Sequence, residues 1–356
     1  MKKILISTGG SGGHVVPALN LYDHLKKDFD VKLYTDIRGE KYIPKEIKRT
    51  IFKVKQIPEK KYFLPLKIIF LFFAFAKSLM HLSVSKFDIV ISTGGYMSLP
   101  IVLAAKIFNK KIFLFEPNSI IGRSNKFLLK FSNKIFCYDK NLQGLNKNYT
   151  DKIIELSPIL NRCFYNKNKN DETNKDIFRI LIIGGSQASL FLSKNLKSEI
   201  IQIAKKNKVN VTQQLSESFD INNYKKDYDK NNIENNLFFF EDNFLCKKNR
   251  FDIAISRSGA SSLAELAQLN IPFIAIPFPY ATDNHQFLNA KRYHDRNCCW
   301  ILEEKNFNSG DIYKIINQIM VNKNEYFEKK NNLMKFNQNE TWENFNRKII
   351  KYFNEN

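Results

Sequence analysis

The amino-acid sequence predicts an α/β protein of two domains, each built on a doubly wound parallel sheet. Three observations support this prediction. The 356 residues exceed one ordinary hydrophobic core and suit two domains of about 150 to 200 residues. Short β-rich runs alternate with helical segments in both halves of the chain. Glycine-rich turns repeatedly join a strand to the helix that follows it.

The first half contains two strand–helix–strand series. Apolar residues at helical spacing predict a helix over 16–25 in the first series and one over 100–108 in the second. Strands are predicted at 3–7, 31–35, 88–92 and 111–115. Because strands that alternate with helices form a parallel sheet covered on both faces, residues 1–162 are predicted to form one Rossmann-like domain.

A polar stretch at 166–176 (NKNKNDETNKD) separates the two halves and is the predicted linker. The pattern then restarts with a helix over 189–205, and residues 177–335 are predicted to form a second Rossmann-like domain. Its strands are predicted at 178–183, 210–214, 237–240, 251–256 and 272–276. Residues 220–236 are expected to be a polar surface excursion, and 336–356 a terminal helix that could pack back on the first domain.

The most hydrophobic segment is 63–80, but Lys67 and Lys77 leave only 68–76 as an uninterrupted apolar run. Spanning a bilayer takes about 20 apolar residues, so no transmembrane helix is predicted. Two readings stay open: a core helix, or an amphipathic element in the membrane interface. In the second reading, lysines contact anionic headgroups and apolar side chains insert, namely Lys60, Lys61, Lys67, Phe63, Leu64 and Leu66.

The formal charge of +21 attracts polyanions such as nucleic acid, anionic lipid or phosphorylated substrates. The base composition of the genome is an alternative explanation for the excess lysine.

Five cysteines without C-x-x-C spacing favour reduced thiols over a disulfide framework or a zinc site. The apolar run at the start ends at Ile6, which is too short for a secretory signal, so a cytoplasmic protein is expected.

The first glycine loop, 8–14 (TGGSGGH), lies between a strand and a helix, where backbone N–H groups can approach an anion or a sugar. A dinucleotide fingerprint would need a small residue where Val15 stands, although Asp36 lies about where such a site places its ribose ligand. Nicotinamide binding therefore stays open as a weaker alternative. His14 lies at the positive end of the helix dipole, which favours neutral imidazole and suits either a general base or a hydrogen-bonding partner of the loop or ligand.

Similar turns occur at 93–98 and 184–187, and a fourth segment, 256–265 (SRSGASSLAE), joins a strand to a helix. Its small residues leave room for a diphosphate at the helix start, and Glu265 about one turn later could accept hydrogen bonds from both ribose hydroxyls. The alternative is an ordinary helix capped by Ser261.

The loop at 277–290 also joins a strand to a helix, and its polar residues could hydrogen-bond sugar hydroxyls. These residues are Asp283, Asn284, His285 and Gln286, of which Asn284 could equally be a helix cap. The spacing in this loop indicates neither a metal site nor a Ser-His-Asp triad.

Six ordered segments resemble the MurG family, whose members transfer N-acetylglucosamine from UDP-N-acetylglucosamine to lipid I and so form lipid II. They are TGGSGGHVVPAL, STGGYMSLP, FEPNSIIGRSNKFL, IIGGSQAS, SRSGASSLAELA and IPFPYATDNHQFLNA. The resemblance runs from the first loop to about Leu302. It implies the GT-B fold, in which two Rossmann-like domains face a cleft, with no metal or cofactor.

The resemblance also implies where the donor binds. Glu265 would hold the ribose, the helix start at 260–263 with Ser186 the diphosphate, and Gln286 with His285 the sugar hydroxyls. Backbone near Glu241 would contact uracil. The implied donor-binding residues are Ser11, Gly12, Gly13, Asn118, Ser186, Glu241, Ala260, Ser261, Ser262, Leu263, Ala264, Glu265, His285 and Gln286.

For the acceptor side, the resemblance implies Tyr96 and Asn125, with His14 and Glu116 as catalytic residues. The implied reaction is inverting: the carbon 4 hydroxyl of the lipid-linked sugar attacks the anomeric carbon, and His14 is expected to be the base. Arg257 could offset diphosphate charge or be structural. The sequence departs from the family pattern at Leu160, where the family has an arginine that Arg162 could replace, and at Phe115 and Pro117.

The partners implied are UDP-N-acetylglucosamine, lipid I and an anionic membrane surface, with a peripheral location at the cytoplasmic face of the inner membrane. The alternatives are another GT-B enzyme, such as a glycolipid synthase or a UDP-sugar epimerase, since the fold does not fix the acceptor. A basic nucleic-acid-binding protein would account for the charge but predicts neither the glycine turns nor the helix of Glu265, so no nucleic acid is expected.

Overall fold

A computed structural model describes the chain at 1–52, 64–95, 97–165, 177–185, 188–241, 244–247, 250–336 and 341–355, without the side chains of 64–68. The chain forms two compact units. The first unit comprises 1–161 and 341–356, and the second unit comprises 162–340. The predicted linker at 166–176 lies outside the described residues.

The strands of the first unit are β1 Lys3–Ser7, β2 Asp30–Asp36, β3 Arg49–Phe52, β4 Ile89–Ser92, β5 Lys111–Glu116, β6 Lys134–Cys137 and β7 Ile153–Glu155. Its first helices are α1 Gly12–Leu25, α2 Ile37–Glu40, α3 Leu64–Val84, α4 Ser98–Ile107 and α5 Arg123–Leu128. In the described chain the strands form one parallel sheet of order β3-β2-β1-β4-β5-β6-β7.

Both faces of this sheet are buried. Ile4 and Ile6 of β1 belong to one apolar core, whereas Leu5 between them belongs to the core on the opposite face. Strand β5 repeats the alternation, with Phe113 on one face and Leu114 on the other. Burial on both faces explains why these strands read as continuous apolar runs in the sequence.

The strands of the second unit are β8 Phe178–Ile183, β9 Val209–Gln214, β10 Glu234–Phe238, β11 Ile253–Ser256, β12 Phe273–Ala275 and β13 Cys299–Ile301. Its helices are α6 Leu190–Ala204, α7 Ile221–Lys230, α8 Phe244–Lys247, α9 Ala260–Gln268, α10 His285–His294, α11 Asp311–Val321 and α12 Asn324–Phe336. Among described residues the parallel sheet has the order β10-β9-β8-β11-β12-β13. Both units therefore share the Rossmann strand order.

The last helix, α13 (Trp342–Glu355), belongs to the first unit. Phe345, Ile349 and Phe353, spaced four residues apart, are buried in the core beneath the sheet. The ring of Phe353 lies 5.1 Å from that of Phe113 in a T-shaped contact. The amphipathic spacing of α13 thus places its apolar face on the first sheet.

Two expectations from the sequence are wrong. The segment 220–236 is not a polar surface excursion, because it contains α7, on which Tyr224 and Tyr228 are buried one turn apart, and the start of β10. Cys163 and Cys246 form a disulfide with a Cα–Cα distance of 5.5 Å, while Cys137, Cys298 and Cys299 are free thiols. Partners separated by 83 residues leave no spacing signal in the sequence.

Within the described ranges, no helix combines the length and the apolar character needed to cross a bilayer. Helix α3 contains most of the segment for which an interfacial role was left open. The residues named for that role fall on 60, 61 and 63, outside the described residues, or on 64, 66 and 67, whose side chains are not described.

Candidate active site

Each sheet has a topological switch point, where the helices that follow two neighbouring strands lie on opposite faces. In the first unit this point lies between β1 and β4, and in the second unit between β8 and β11. Ligands of open α/β sheets bind at the carboxyl ends of such strand pairs. All four glycine-containing turns identified in the sequence follow these four strands, so the fold gathers them at two crevices, one in each unit.

In the first crevice, His14 occupies the first turn of α1 and is hydrogen-bonded to the turn after β4. Its Nδ1 lies 2.9 Å from the carbonyl oxygen of Thr93, and the Thr93 hydroxyl donates to the His14 carbonyl. Because a carbonyl oxygen only accepts, Nδ1 carries the proton and Nε2 of a neutral ring keeps its lone pair. The contact therefore fixes the orientation of the imidazole and leaves Nε2 as the atom that can accept a hydrogen bond.

A glycine at position 94 is needed beside this imidazole. Gly94 has φ +91°, and a Cβ atom placed on it would lie 3.0 Å from both Cε1 and Nδ1 of His14. Any side chain would collide with the ring and would also strain the backbone. Gly95, with φ +85°, approaches the Gly9 carbonyl in the same way, so the two glycine loops of the first unit pack directly on each other.

Ser11, Gly12 and Gly13 form the start of α1. Ser11 is its N-cap residue but makes no side-chain cap, and the first turn contains no acidic residue. The N–H groups at the beginning of a helix have no acceptor within the helix, so this start can receive a hydroxyl or an anion.

Glu116 ends β5 and is buried, and both of its carboxylate oxygens accept hydrogen bonds. Oε1 accepts from the backbone N–H and the side-chain amide of Asn118 at 3.2 and 2.9 Å. Oε2 accepts from the Gly122 N–H at 2.8 Å and from Asn125 Nδ2 at 3.0 Å. This arrangement favours a role in ordering the loop between β5 and α5 over direct proton transfer.

Asn125 is buried beside His14 and has an unused acceptor. Its Nδ2 also donates to the Phe115 carbonyl, which fixes the orientation of the amide. Its Oδ1 is buried and has no hydrogen-bond partner in the described part of the chain. Nδ2 would lie 3.7 Å from a Cβ atom on Gly94, which places this amide next to the imidazole. A ligand hydroxyl is the kind of donor that would satisfy Oδ1.

Asp36, the candidate ribose ligand of a dinucleotide site, is engaged within the protein. Its Oδ1 accepts from the backbone N–H groups of Gly10 at 2.9 Å and of Gly39 at 2.7 Å. The carboxylate thus ties the first glycine loop to the start of α2. These contacts account for the buried Asp36 Oδ1 without a nucleotide ligand and weaken the nicotinamide alternative.

In the second crevice, the turn Gly184-Gly185 after β8 faces the start of α9. Gly185 has φ +79°, and a Cβ atom on it would lie 3.7 Å from the Ser262 hydroxyl. The N-cap of α9 is Gly259, with no side-chain cap and no acidic residue in the first turn. The alternative in which Ser261 caps the helix is therefore wrong, because Ser261 lies inside it and leaves the helix start open.

Glu265 lies on the second turn of α9. Burial raises the pKa of its carboxyl from 4.5 to about 8. Within the described ranges, no hydrogen bond or ion pair compensates this desolvation. An uncompensated carboxylate one turn beyond an open helix start is typical of a ligand-binding position.

Arg257, considered for the diphosphate, is held by protein groups. Nε donates to the Ser189 hydroxyl at 3.0 Å, and Nη1 donates to the carbonyls of Ile276 and Pro277. Nη2 pairs with Glu304 at 2.5 Å. These contacts favour the structural reading, in which Arg257 joins the ends of three elements beneath the crevice.

Gln286 and His285 begin α10. The Gln286 Oε1 accepts from the N–H groups of Ser258 at 3.2 Å and Phe278 at 3.0 Å, which leaves its amide nitrogen as a donor. His285 Nδ1 lies 2.8 Å from the Thr282 carbonyl, which leaves Nε2 as the other polar atom of the ring. Asn284 is the N-cap residue but makes no side-chain cap, because its backbone is left-handed, with φ +55°.

For four of the predicted site residues, the structure gives little or no evidence of a contact with a ligand. Tyr96 and Ser186 lie outside the described residues. Glu241 follows β10 and pairs with Lys247 at 2.8 Å. Arg162 is exposed in the 3₁₀ turn Arg162–Tyr165, whereas Leu160 is buried, and its carbonyl lies 3.0 Å from His24 Nε2.

Comparison with known proteins decides the family. Residues 4–137 match the glycosyltransferase family 28 N-terminal domain, and residues 179–344 match the glycosyltransferase family 28 C-terminal domain. These matches cover most of the chain. The chain belongs to glycosyltransferase family 28.

Two curated relatives of this glycosyltransferase carry one name, UDP-N-acetylglucosamine--N-acetylmuramyl-(pentapeptide) pyrophosphoryl-undecaprenol N-acetylglucosamine transferase. The protein from Pelagibacter ubique is 43% identical over 356 residues, covering 100% of this chain and 99% of its own. The one from Rickettsia canadensis is 33% identical, covering 94% and 95%. The resemblance stated from the motifs is thereby confirmed.

The crystal structure of Acinetobacter baumannii MurG superimposes on this family 28 chain with a TM-score of 0.77, covering 100% of both chains at 20% identity. At this identity the likeness concerns the fold alone. It confirms the predicted fold class, which is GT-B with two Rossmann-like parallel-sheet domains.

The sequence did not single out Gln214 in this family 28 glycosyltransferase. Its buried side chain contacts the Gly184-Gly185 turn. The sequence offered one signal for it: Gln214 is a polar residue at the carboxyl end of the predicted strand 210–214. In the described residues no group of His, Cys, Asp and Glu has the geometry of a metal site.

Proposed function

We propose that this glycosyltransferase moves N-acetylglucosamine from UDP-N-acetylglucosamine to the carbon 4 hydroxyl of lipid I, giving lipid II for peptidoglycan synthesis. The hydroxyl oxygen attacks the anomeric carbon, the bond from that carbon to the diphosphate oxygen breaks, and UDP leaves. The hydroxyl proton passes to a base on the protein. The observation that carries the proposal is the open start of α9 followed, one turn later, by the carboxyl group of Glu265, for which the described residues supply no partner.

The donor diphosphate is assigned to the start of α9. The helix supplies no acceptor for the N–H groups of Ala260, Ser261 and Ser262, and its dipole favours an anion at this end. The absence of a Cβ atom on Gly185 keeps the space opposite Ser262 open. As the diphosphate gains charge when UDP leaves, these donors stabilise the transition state.

The sugars of the donor are assigned to three side chains around this helix. The Glu265 carboxylate accepts from the ribose hydroxyls. The free amide nitrogen of Gln286 donates to a hydroxyl of N-acetylglucosamine, and His285 Nε2 offers a second polar contact. Since the Gln286 oxygen already binds Ser258 and Phe278, the orientation of its amide is set before the donor arrives.

The acceptor and the base are assigned to the first unit. His14 Nε2 takes the proton of the carbon 4 hydroxyl, while the Nδ1–H bond to Thr93 holds the ring and disperses its developing charge. The unpaired Oδ1 of Asn125 accepts from an acceptor hydroxyl, and Glu116 holds Asn125 in place. Asn118, Tyr96, and the Ser11, Gly12 and Gly13 loop remain proposed sugar contacts.

A membrane surface is proposed as the third partner, at the cytoplasmic face of the inner membrane. Helix α3 exposes Phe72 and Phe73, each 65% accessible, with Ile69 and Met80 on either side. Helix α4, which contacts α3, exposes Ile107, and helix α5, which contacts α4, exposes Phe127. The aliphatic and aromatic side chains suit the acyl boundary of a bilayer.

Basic residues accompany this apolar surface. Lys130 Nζ lies 4.8 Å from the ring centres of Phe127 and Phe131. The pKa of Lys152 is lowered, first by desolvation and then, against Asp151, by the nearby charges of Lys106 and Lys134. Clustered cations beside exposed aromatic side chains favour anionic headgroups.

A transfer assay tests the reaction. Radiolabelled UDP-N-acetylglucosamine is incubated with a lipid I analogue, and the labelled lipid product is isolated and identified. His14→Ala is expected to reduce kcat at least 100-fold with unchanged UDP affinity, and Glu265→Ala to weaken UDP binding. His24→Gln is the matched control on the same helix, because His24 is buried against Trp342 and bonded to Leu160, and it should affect stability alone.

The outcomes separate the alternatives. Donor turnover without a labelled lipid would indicate an epimerase, and labelling of a different lipid would indicate a glycolipid synthase. Salt-sensitive DNA binding without donor turnover would indicate a nucleic-acid-binding protein. Full activity of His14→Ala would refute the assignment of the base.

Vesicle sedimentation tests the membrane surface. Phe72→Ser with Phe73→Ser should abolish binding to phosphatidylglycerol vesicles, and wild type should bind neutral vesicles weakly. Phe327→Ser on α12 is the control, since Phe327 is also exposed but lies in the second unit. Equal vesicle binding by wild type and the double variant would contradict this assignment.

A further inference from the structure

Gln214, the last residue of β9, bridges two consecutive glycines in the turn after β8. Its Oε1 accepts from the Gly184 N–H at 2.9 Å, and its Nε2 donates to the Gly185 carbonyl at 3.0 Å. Gln214 is buried, with 5% of the residue exposed, so water competes little for either bond. Since one partner only donates and the other only accepts, they fix the orientation of the amide.

Both glycines of the turn that Gln214 contacts are required by their geometry. Gly185 has φ +79°, and a Cβ atom on Gly184 would lie 2.5 Å from the Ser189 nitrogen. Only glycines fit both positions, and glycines have the largest backbone entropy to lose on ordering. A side chain that binds the first N–H and the last carbonyl of the pair restricts that freedom.

We infer that Gln214 is a positioning residue for the donor diphosphate. The inference rests on the proposed function, which assigns the diphosphate to the start of α9. Because Gly185 faces Ser262 in the first turn of α9, the Gln214 amide sets the separation between the turn and that helix start. Gln214 does not touch the donor; it keeps the space for the diphosphate at a constant width before binding.

The neighbouring Gln213 provides a matched control. Side chains alternate along a strand, so Gln213 points to the opposite face of the sheet. It is also buried and also makes two hydrogen bonds, donating to Tyr224 Oη at 3.0 Å and accepting from Tyr228 Oη at 2.7 Å. Removing either amide breaks two buried hydrogen bonds, but only the Gln214 bonds reach the glycine turn.

The experiment compares Gln214→Met and Gln213→Met in the full chain, using calorimetric titration with UDP, thermal unfolding and the transfer assay. Both variants should lower Tm. Gln214→Met should raise the Kd for UDP and the donor KM about tenfold while kcat at saturating donor stays within threefold, and Gln213→Met should leave Kd within twofold. If Gln214→Met does not fold, Gln214→Glu is used instead. The glutamate keeps an acceptor for the Gly184 N–H but places a carboxylate oxygen against the Gly185 carbonyl, so the second hydrogen bond is lost.

The failures are distinguishable. Equal UDP affinity in the Gln214 variants and wild type, or an equal loss in the Gln213 variant, overturns the positioning role and leaves the proposed function standing. A wild-type protein that does not bind UDP refutes the proposed function itself.

Discussion

Replacing Glu265 by glutamine is expected to stabilise the ligand-free protein at pH 8 and to weaken donor binding. The pKa of the Glu265 carboxyl is about 8 in the folded protein, against an ordinary value of 4.5. Between these pH values the native state holds a proton that the unfolded state has lost. The free energy of unfolding therefore falls as the pH rises from 4.5 to 8.

The size of this effect follows from the shift. At 1.36 kcal/mol per pH unit, ionisation in the fold costs at most about 5 kcal/mol. Because solvent reaches part of the Glu265 side chain, we expect about 2 kcal/mol. Glutamine is neutral at every pH in this range. The free energy of unfolding of Glu265→Gln should therefore equal that of wild type near pH 4.5 and exceed it by about 2 kcal/mol at pH 8. For a unit of this size that corresponds to about 4 to 8 °C in Tm.

Thermal unfolding at pH 4.5 and pH 8 measures the difference. The matched control is Glu199→Gln, since Glu199 is a buried carboxylate of the same unit that accepts from Gly310 N at 2.5 Å and Tyr313 N at 2.9 Å. Removing this compensated carboxylate should lower stability and leave UDP affinity unchanged. A wild type that is more stable than Glu265→Gln at pH 8 would refute the reasoning.

The same carboxyl predicts a pH dependence of donor binding. The diphosphate of UDP-N-acetylglucosamine is substituted at both ends and does not titrate near neutrality, so the slope reports the protein. If the ionised carboxylate accepts the ribose hydroxyls, affinity rises by up to tenfold per pH unit until about pH 8 and then levels. Titration calorimetry in buffers of different ionisation enthalpy should detect proton release in wild type and none in Glu265→Gln.

Three further predictions concern the rest of the chain. Gly94→Ala places a methyl group 3.0 Å from the His14 ring at φ +91°, so kcat should fall at least tenfold with unchanged UDP affinity; normal kcat would contradict the packing described. Glu116→Gln turns an amide NH₂ towards N–H donors and should cost about 2 to 4 kcal/mol in denaturant unfolding; a cost below about 0.5 kcal/mol would mean that these bonds do not order the loop. Cys246→Ser should lose about 4 kcal/mol relative to the oxidised protein, because the disulfide closes a loop of 83 residues; equal stability with and without dithiothreitol would show that the disulfide does not contribute.

The sequence predicted the central strands closely because their two buried faces impose continuous apolar runs. Residues 3–7 and 178–183 were placed as β1 and β8 have them. Strands at or near the sheet edges were harder to predict from the sequence. β3, β6, β7 and β13 are short and were not predicted. β10 starts three residues before the predicted 237, because its edge position tolerates Glu234 and Asn235.

The motifs located the helix starts and His14 but not the use made of each side chain. Three of these side chains bind other protein groups that only the fold brings near them. Asp36 accepts from Gly39, Glu116 accepts from Gly122, and Arg257 pairs with Glu304. The same holds for the disulfide of Cys163. Helical periodicity in 221–230 was present but was masked by the abundance of polar residues around Tyr224 and Tyr228.

The most direct test of the account is a crystal structure of the protein with UDP. The account predicts the β-phosphate within hydrogen-bond distance of the N–H groups of Ala260 to Ser262 and both ribose hydroxyls on the Glu265 carboxylate. A nucleotide bound elsewhere, or a start of α9 that is closed to it, would contradict the account.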